Sequence, residues 1–189
     1  MIKIGILGDI GSGKSFVAKN FRYPVFNADK VVADLYKKDK KIFIRLKKKL
    51  PKYFYSFPID KKDVSNAILS SDNNLRKIVK IVHAEVRKKM SLFIKNNKKK
   101  KIIILDIPLL LENKINKKKD ILIFVQSSRK EILKRLKKRN NFNKKIVNKF
   151  RNIQLPLDYK RNRSHFIIKN DFTEKKIKKD IKEILNKIL

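Results

Sequence analysis

Gly8-Asp9-Ile10-Gly11-Ser12-Gly13-Lys14-Ser15 is the stretch that decides the reading of this chain, and it follows the apolar run Ile2 to Leu7 without a break. The chain holds only four glycines, and all of them lie between Gly5 and Gly13. A sequence that dispenses with glycine elsewhere keeps it where the backbone must wind tightly. Gly8, four residues, then Gly13-Lys14-Ser15 is the spacing of a phosphate-binding loop set between a strand and a helix, here the helical stretch Phe16 to Phe21. Successive backbone N–H groups then converge on phosphate oxygens at the helix N-terminus. Lys14 reaches toward the β- and γ-phosphates, and the Ser15 hydroxyl is a candidate ligand of the accompanying Mg²⁺.

Beyond this loop, further short apolar runs lie at Ile102 to Leu105, Ile121 to Val125 and Phe166 to Ile168, with a two-residue candidate at Val25-Phe26. They do not alternate, so they predict strands buried on both faces, as in a parallel sheet covered by helices. Leu75, Ile78, Val79, Val82 and Val86 recur at helical spacing, as do Ile177, Ile181, Ile184, Leu185 and Ile188. The fold class is α/β: a three-layer P-loop core in one domain over residues 1–189. The long strand-free interval between Phe26 and Ile102 predicts a helical insertion over about Asp60 to Asn97, above the carboxyl edge of the sheet. A second excursion, Asn140 to Arg163, is basic and weakly periodic and predicts a lid.

Composition bounds the rest. The chain has 189 residues with 52 Lys or Arg against 17 Asp or Glu, a formal charge of +35. Lys accounts for 42 of the basic residues and Arg for 10, and Lys, Ile and Asn together make 86 residues. All three have A/T-rich codons, which ascribes much of the charge to nucleotide bias rather than to a ligand. A nucleic-acid reader would favour Arg for bidentate contacts, so a basic nucleic-acid-binding protein is the weaker reading. A hydrophobic fraction of 42% excludes a disordered basic tail. The absence of Cys excludes disulfides and thiol chemistry. No window approaches the roughly 18 apolar residues of a membrane span, so a cytoplasmic protein without membrane partners is expected, and a monomer.

Two acids carry the remaining chemistry. Asp29, in Asn27-Ala28-Asp29, follows the second predicted strand. It reads either as a proton acceptor for an attacking hydroxyl, worth roughly 10²–10⁴ in rate, or as the N-cap of a helix from Lys30 to Lys37. Asp106 ends Ile102-Ile103-Ile104-Leu105 in the layout of a Walker B strand and is a second candidate for Mg²⁺. Pro108 should stop that strand and open the next helix.

Residues 8 to 15, Asn27-Ala28-Asp29, Ile59-Asp60-Lys61, His83 and the segment Asp106 to Glu112, with its Pro108-Leu109-Leu110-Leu111-Glu112, together resemble the dephospho-coenzyme A kinases over the whole chain. The resemblance implies a P-loop kinase with a helical coenzyme A-binding subdomain and a lid. It would pass the γ-phosphoryl of Mg·ATP to the ribose 3′-hydroxyl of dephospho-coenzyme A, the last step of coenzyme A synthesis. It implies Lys14 and Asp29 as catalytic groups, Asp29 and His83 at the acceptor substrate, and Ser15 and Asp106 at the metal. ATP would be held by Gly8, Ile10, Gly11, Ser12, Gly13, Lys14, Ser15 and Phe16, with Arg135, Arg139 and Asn170. Another small-molecule or nucleoside monophosphate kinase on the same fold is the alternative. The chain departs from the family pattern at Asp9, where a second glycine is usual, and at Phe16, where a small or polar residue is common. It departs again at Ala84, where proline usually follows the histidine, and at Ser164-His165, where Ala-Asp is usual.

Overall fold

The computed structural model describes residues 1–139 and 142–189. The chain folds as two compact units, one of residues 1–27, 97–143 and 151–189, the other of residues 28–96 and 144–150.

The first unit is built on five parallel strands: β1 (Ile2–Gly8), β2 (Val25–Asn27), β3 (Ile102–Asp106), β4 (Ile121–Gln126) and β5 (Phe166–Lys169), in the order β2-β3-β1-β4-β5. Parallel strands need long crossovers; helices supply those from β1 to β2, β2 to β3 and β4 to β5, while the one from β3 to β4 is made of turns. Every residue of β3 is buried, as its unbroken Ile/Leu run requires. β1 pairs with β3 on one side and β4 on the other; the chain runs from β1 to β2 and β3 on the first side and then crosses to β4 on the second, so a crevice opens at the carboxyl end of β1. The loop Gly8 to Gly13 starts there.

One face of the sheet is covered by α1 (Lys14–Asn20) and α9 (Glu174–Ile188). Val17 and Ala18 from α1 and Ile177, Ile181 and Ile184 from α9 join Ile4, Ile6, Ile104 and Ile123 in one apolar cluster. Each large aliphatic side chain of this kind contributes about 1.5–3 kcal/mol by leaving water. Phe16 packs against the same cluster, which explains why this departure from a small residue is tolerated: only its backbone belongs to the loop, while its ring serves the core. This unit also holds α6 (Arg129–Lys137) and α8 (Leu157–Asn162).

The second unit contains α2 (Ala28–Lys38), α3 (Lys40–Lys49), α4 (Lys61–Ser70) and α5 (Asp72–Asn96). Among the described residues no strand lies between Asn27 and Ile102. Asp39 and Asp60 cap α3 and α4 by accepting backbone N–H groups of the first turn. Leu75, Ile78, Val82 and Val86 form the buried stripe of α5 at the expected spacing. The helix runs through Ala84 without interruption, since no proline is present to break it.

Local expectations need three corrections. Asp29 is not an N-cap: α2 begins at Ala28, and Asp29 is an acid of the first turn, where the helix dipole favours it. Pro108 ends β3 but opens a series of turns over 108–114 rather than a helix, since Asn113 N–H reaches Leu109 O while Ile115 N–H reaches back to Leu110 O. The segment 140–163, read as weakly periodic, contains α7 (Lys144–Asn152) and α8; Asn140 and Asn141 lie outside the described residues.

Candidate active site

In the phosphate loop the glycines are required by space as well as by torsion. Gly13 has φ 89°, and a Cβ there would stand 2.2 Å from Asn170 Nδ2 and 2.6 Å from the Phe172 ring. Gly8 has φ 144°, and a Cβ would meet the Val125 carbonyl oxygen at 2.6 Å. Any other residue at either position would force the loop away from the strands and turn that shape it.

Lys14 is buried, and its ammonium donates to the carbonyl oxygens of Gly8 at 3.1 Å and Asp9 at 2.7 Å. The charge is thus folded back along the loop and held by its rim. Ser15, one residue on, donates its hydroxyl to Asp106 Oδ2 at 2.5 Å. Asn27 Nδ2 donates to the same carboxylate oxygen at 2.6 Å and lies 3.3 Å from Ser15 Oγ. Parallel register explains the meeting: Asn27 and Asp106 stand opposite each other at the ends of β2 and β3, and Ser15 comes from the helix that follows the neighbouring strand.

Ser15, Asn27 and Asp106 make a compact oxygen-rich cluster at the carboxyl edge of the sheet. Its chemistry suits a hard divalent cation, which takes oxygen ligands and leaves most positions to water and phosphate. Among the described residues no group of three or more His, Cys, Asp or Glu stands ready to cage a metal by itself.

The turn after β5 closes the other side of the loop. Asn170 is buried, donates Nδ2 to Ser12 O at 2.8 Å and accepts the Phe172 N–H at 2.9 Å. Ser127 Oγ bridges the same pieces by reaching Ser12 O at 2.8 Å and Asn170 O at 3.0 Å. Phe172 adopts φ 67°, rare for a side chain of its size, and the Arg135 guanidinium lies 3.5 Å from its ring centroid. Hydrogen bonds from the Thr173 N–H and hydroxyl hold the carboxyl of Asp171 below its ordinary range. Arg139 is exposed, two residues beyond α6.

His165 has a structural role. Its Nδ1 accepts the Leu122 N–H at 3.0 Å, and its backbone N–H donates to Leu122 O at 2.8 Å, so the side chain extends the β4–β5 ladder by one bond. The acceptor role requires Nδ1 unprotonated.

Asp9, the residue in place of a glycine, lies outside the left-handed region, so its side chain strains nothing. Its carboxylate receives a bidentate pair from Arg151, Nε at 3.2 Å and Nη2 at 2.8 Å. A little farther along, Lys160, 1% exposed, places its ammonium 2.7 Å from Glu112 Oε1 and 3.1 Å from Gln154 Oε1. Leu155 N–H donates to the same Glu112 oxygen at 3.0 Å. Breaking such a buried pair from one side leaves a costly unpaired charge, about 3–5 kcal/mol. Glu112 therefore fixes the chain from Gln154 to Lys160.

The structure thus brings Gly8 through Phe16, Asp106, Arg135 and Asn170 together within the first unit. Asp29 and His83 belong to the second, where His83 is half-buried on α5. Three participants escape a reading of the sequence. Asn27 gives a usable signal in its place at a strand end, yet no role attaches to it until its partners are seen. Phe172 and Arg151 give none, since an aromatic in a turn and an arginine in a basic run look like their neighbours.

Comparison with known proteins agrees with this geometry. The dephospho-CoA kinase family model matches residues 2–176. A dephospho-CoA kinase of Wolbachia pipientis is 35% identical over 98% of this chain and 97% of its own length. A solved structure from Thermus thermophilus is 26% identical, with TM-score 0.76 over 100% of this chain and 98% of that one. A dephospho-CoA kinase from Campylobacter jejuni, 17% identical, shares the fold with TM-score 0.64 over 98% of this chain and 96% of the other. Among the described residues no helix is long and apolar enough to cross a membrane. Because the match runs from the first strand into the last helix and takes in the phosphate loop, Asp29, His83 and Asp106 alike, the chain belongs to the dephospho-CoA kinase family and is an ATP-dependent kinase.

Proposed function

We propose that this kinase transfers the γ-phosphoryl group of Mg·ATP to the ribose 3′-hydroxyl of dephospho-coenzyme A, in the cytoplasm. The observation that carries the reading is the family match over residues 2–176, joined to a phosphate loop whose Ser15 hydroxyl meets Asp106. The residues fit the parts of such a reaction. Backbone N–H groups of residues 10–15 line the β- and γ-phosphates, and Lys14 exchanges the carbonyl oxygens of Gly8 and Asp9 for phosphate oxygens. Ser15 and Asp106 would hold Mg²⁺, with Asn27 beside them. The cation would supply neutralisation of the polyphosphate charge. Arg135, Arg139 and Asn170 serve the nucleotide.

Asp29 accepts the proton of the 3′-hydroxyl as its oxygen bonds to the γ-phosphorus. The bond from that phosphorus to the β,γ-bridging oxygen breaks in the same transfer, and ADP leaves with its electron pair. His83 lines the acceptor site. Residues 60–97 form the coenzyme A-binding subdomain and residues 140–163 the lid. Asp106, which accepts from Ser15 and Asn27, serves the cation and takes no part in the proton transfer.

An acceptor panel tests this reading. With Mg·ATP and ADP release as the signal, dephospho-coenzyme A should turn over far better than adenosine, AMP or pantothenate. Contacts remote from the reacting oxygen lower the barrier only when the whole molecule is present. Adenosine should therefore suffer in kcat as well as in KM. Preferential transfer to the 5′-phosphate of AMP would point instead to a nucleoside monophosphate kinase.

A further inference from the structure

Asp9 collects donors of the kinds that bind phosphate. Its carboxylate accepts the Ile10 backbone N–H at 2.6 Å and the Arg151 fork at 2.8 and 3.2 Å. Its carbonyl oxygen accepts the Lys14 ammonium at 2.7 Å and the Ser12 N–H at 3.1 Å. A loop N–H, a guanidinium and an ammonium are the groups a polyphosphate would engage. The carboxylate is mostly buried, 16% exposed, and sits within the loop itself. A glycine at this position could offer the carbonyl but not the anion.

We propose that Asp9 is a positioning residue that acts as an internal anion: it docks Arg151 at the rim of the phosphate loop and competes with the incoming polyphosphate for Arg151 and the Ile10 N–H. A carboxylate and a phosphate both present paired oxygens to a guanidinium, so one can replace the other on the same fork. Binding of a nucleotide then breaks the Asp9–Arg151 pair, and that loss is subtracted from the affinity. In exchange, Arg151 is held beside the loop, oriented and partly desolvated, before the substrate arrives. This inference rests on the reading of residues 8–15 as the ATP phosphate site.

Titration calorimetry of the full chain with inorganic tripolyphosphate and with ADP tests it, alongside thermal unfolding of each variant. Asp9→Gly should bind tripolyphosphate about tenfold more tightly than the native protein. Asp9→Asn, which keeps an acceptor for Ile10 N–H but loses the charge, should tighten binding in the same direction by less. Arg151→Met should cost at least about threefold more affinity in the Asp9→Gly background than in the native one, because Arg151 then has no competing partner to leave. If Asp9 merely ties Arg151 to the loop for structural reasons, Asp9→Asn lowers the unfolding temperature and leaves tripolyphosphate binding equal or weaker, which overturns the proposal. A larger cost of Arg151→Met when Asp9 is present overturns it too, since the pair would then be acting together on the ligand. A native protein that binds neither tripolyphosphate nor ADP removes the phosphate-site reading and this inference with it. Native binding without tightening in either Asp9 variant removes the inference alone.

Discussion

The two units of this chain carry their candidate site residues by different means. In the first, function is carried by backbone: four glycines in nine residues, parallel register that sets Asn27 beside Asp106, and a turn whose Asn170 reaches Ser12 O. In the second, four helices present side chains, and Asp29 and His83 are two polar residues among many. Backbone-borne sites depend on spacing that cannot drift. A helix surface tolerates nearly any polar residue at an exposed position, so function there leaves little trace in a single sequence.

Substitutions test that contrast, and the largest effect belongs to the first unit. Lys14→Ala should abolish turnover while leaving a folded protein, because its ammonium acts mainly on the transferring phosphoryl group and its bonds to the loop carbonyl oxygens are ones water can replace. Loss of a preorganised electrostatic group of this kind costs about 3–4 kcal/mol of barrier. Steady-state kinetics with circular dichroism as the folding control decides it, and near-native turnover would remove the phosphate-loop assignment.

In the second unit the matching experiment is Asp29→Asn. It should lower kcat by at least about 10²-fold with little change in ATP affinity, since the proposed proton acceptor is lost and shape is kept. The structure sharpens this test. Asp29 is not a cap but an acid of the first turn of α2, where the helix dipole contributes about 0.3–1 kcal/mol. Unchanged kcat with a small drop in melting temperature would leave Asp29 that structural role only.

How much of the molecule is legible in the sequence follows the same division. The strands Ile2–Gly8, Ile102–Asp106 and Ile121–Gln126 can be read from unbroken apolar runs, because a strand covered on both faces has no polar alternation to confuse. The buried stripes of α5 and α9 show in their spacing. The turns after Pro108 do not: proline fixes a strand end and suits a helix start, yet tertiary hydrogen bonds such as that of Ile115 N–H to Leu110 O select turns. Asp9 is legible as a departure and as a negative charge near the phosphates. Its partner is not, because Arg151 lies far along the chain in a basic segment, and only the folded structure selects one cation among 52. Lys160 and Glu112 are the same case, a largely buried pair drawn from residue types that ordinarily sit at the surface.

The smallest expected effect separates the loop's shape from its charge. Asn170 contributes two hydrogen bonds of opposite sense, a donor to Ser12 O and an acceptor from Phe172 N–H. Asn170→Ala deletes both. Ser12 O keeps Ser127 Oγ as a partner, so the main loss is at Phe172, whose N–H loses its acceptor and whose left-handed backbone loses its tether. A lost partner of this kind costs about 1–3 kcal/mol, and in a chain of this size each kcal/mol lowers the melting temperature by about 2–4 °C. The KM for ATP should rise by a few-fold while kcat stays within about a factor of two, since Asn170 touches the loop's outer wall and not the transferred group. Asn170→Asp distinguishes the two bonds. It retains an acceptor for Phe172 N–H but turns a carboxylate oxygen toward Ser12 O, where two acceptors face each other in a buried site. Asp should therefore destabilise the protein more than Ala does, although it is the closer shape. If Asn170→Asp melts at the native temperature, the bond to Ser12 does not hold the loop, and the glycine spacing alone sets its shape.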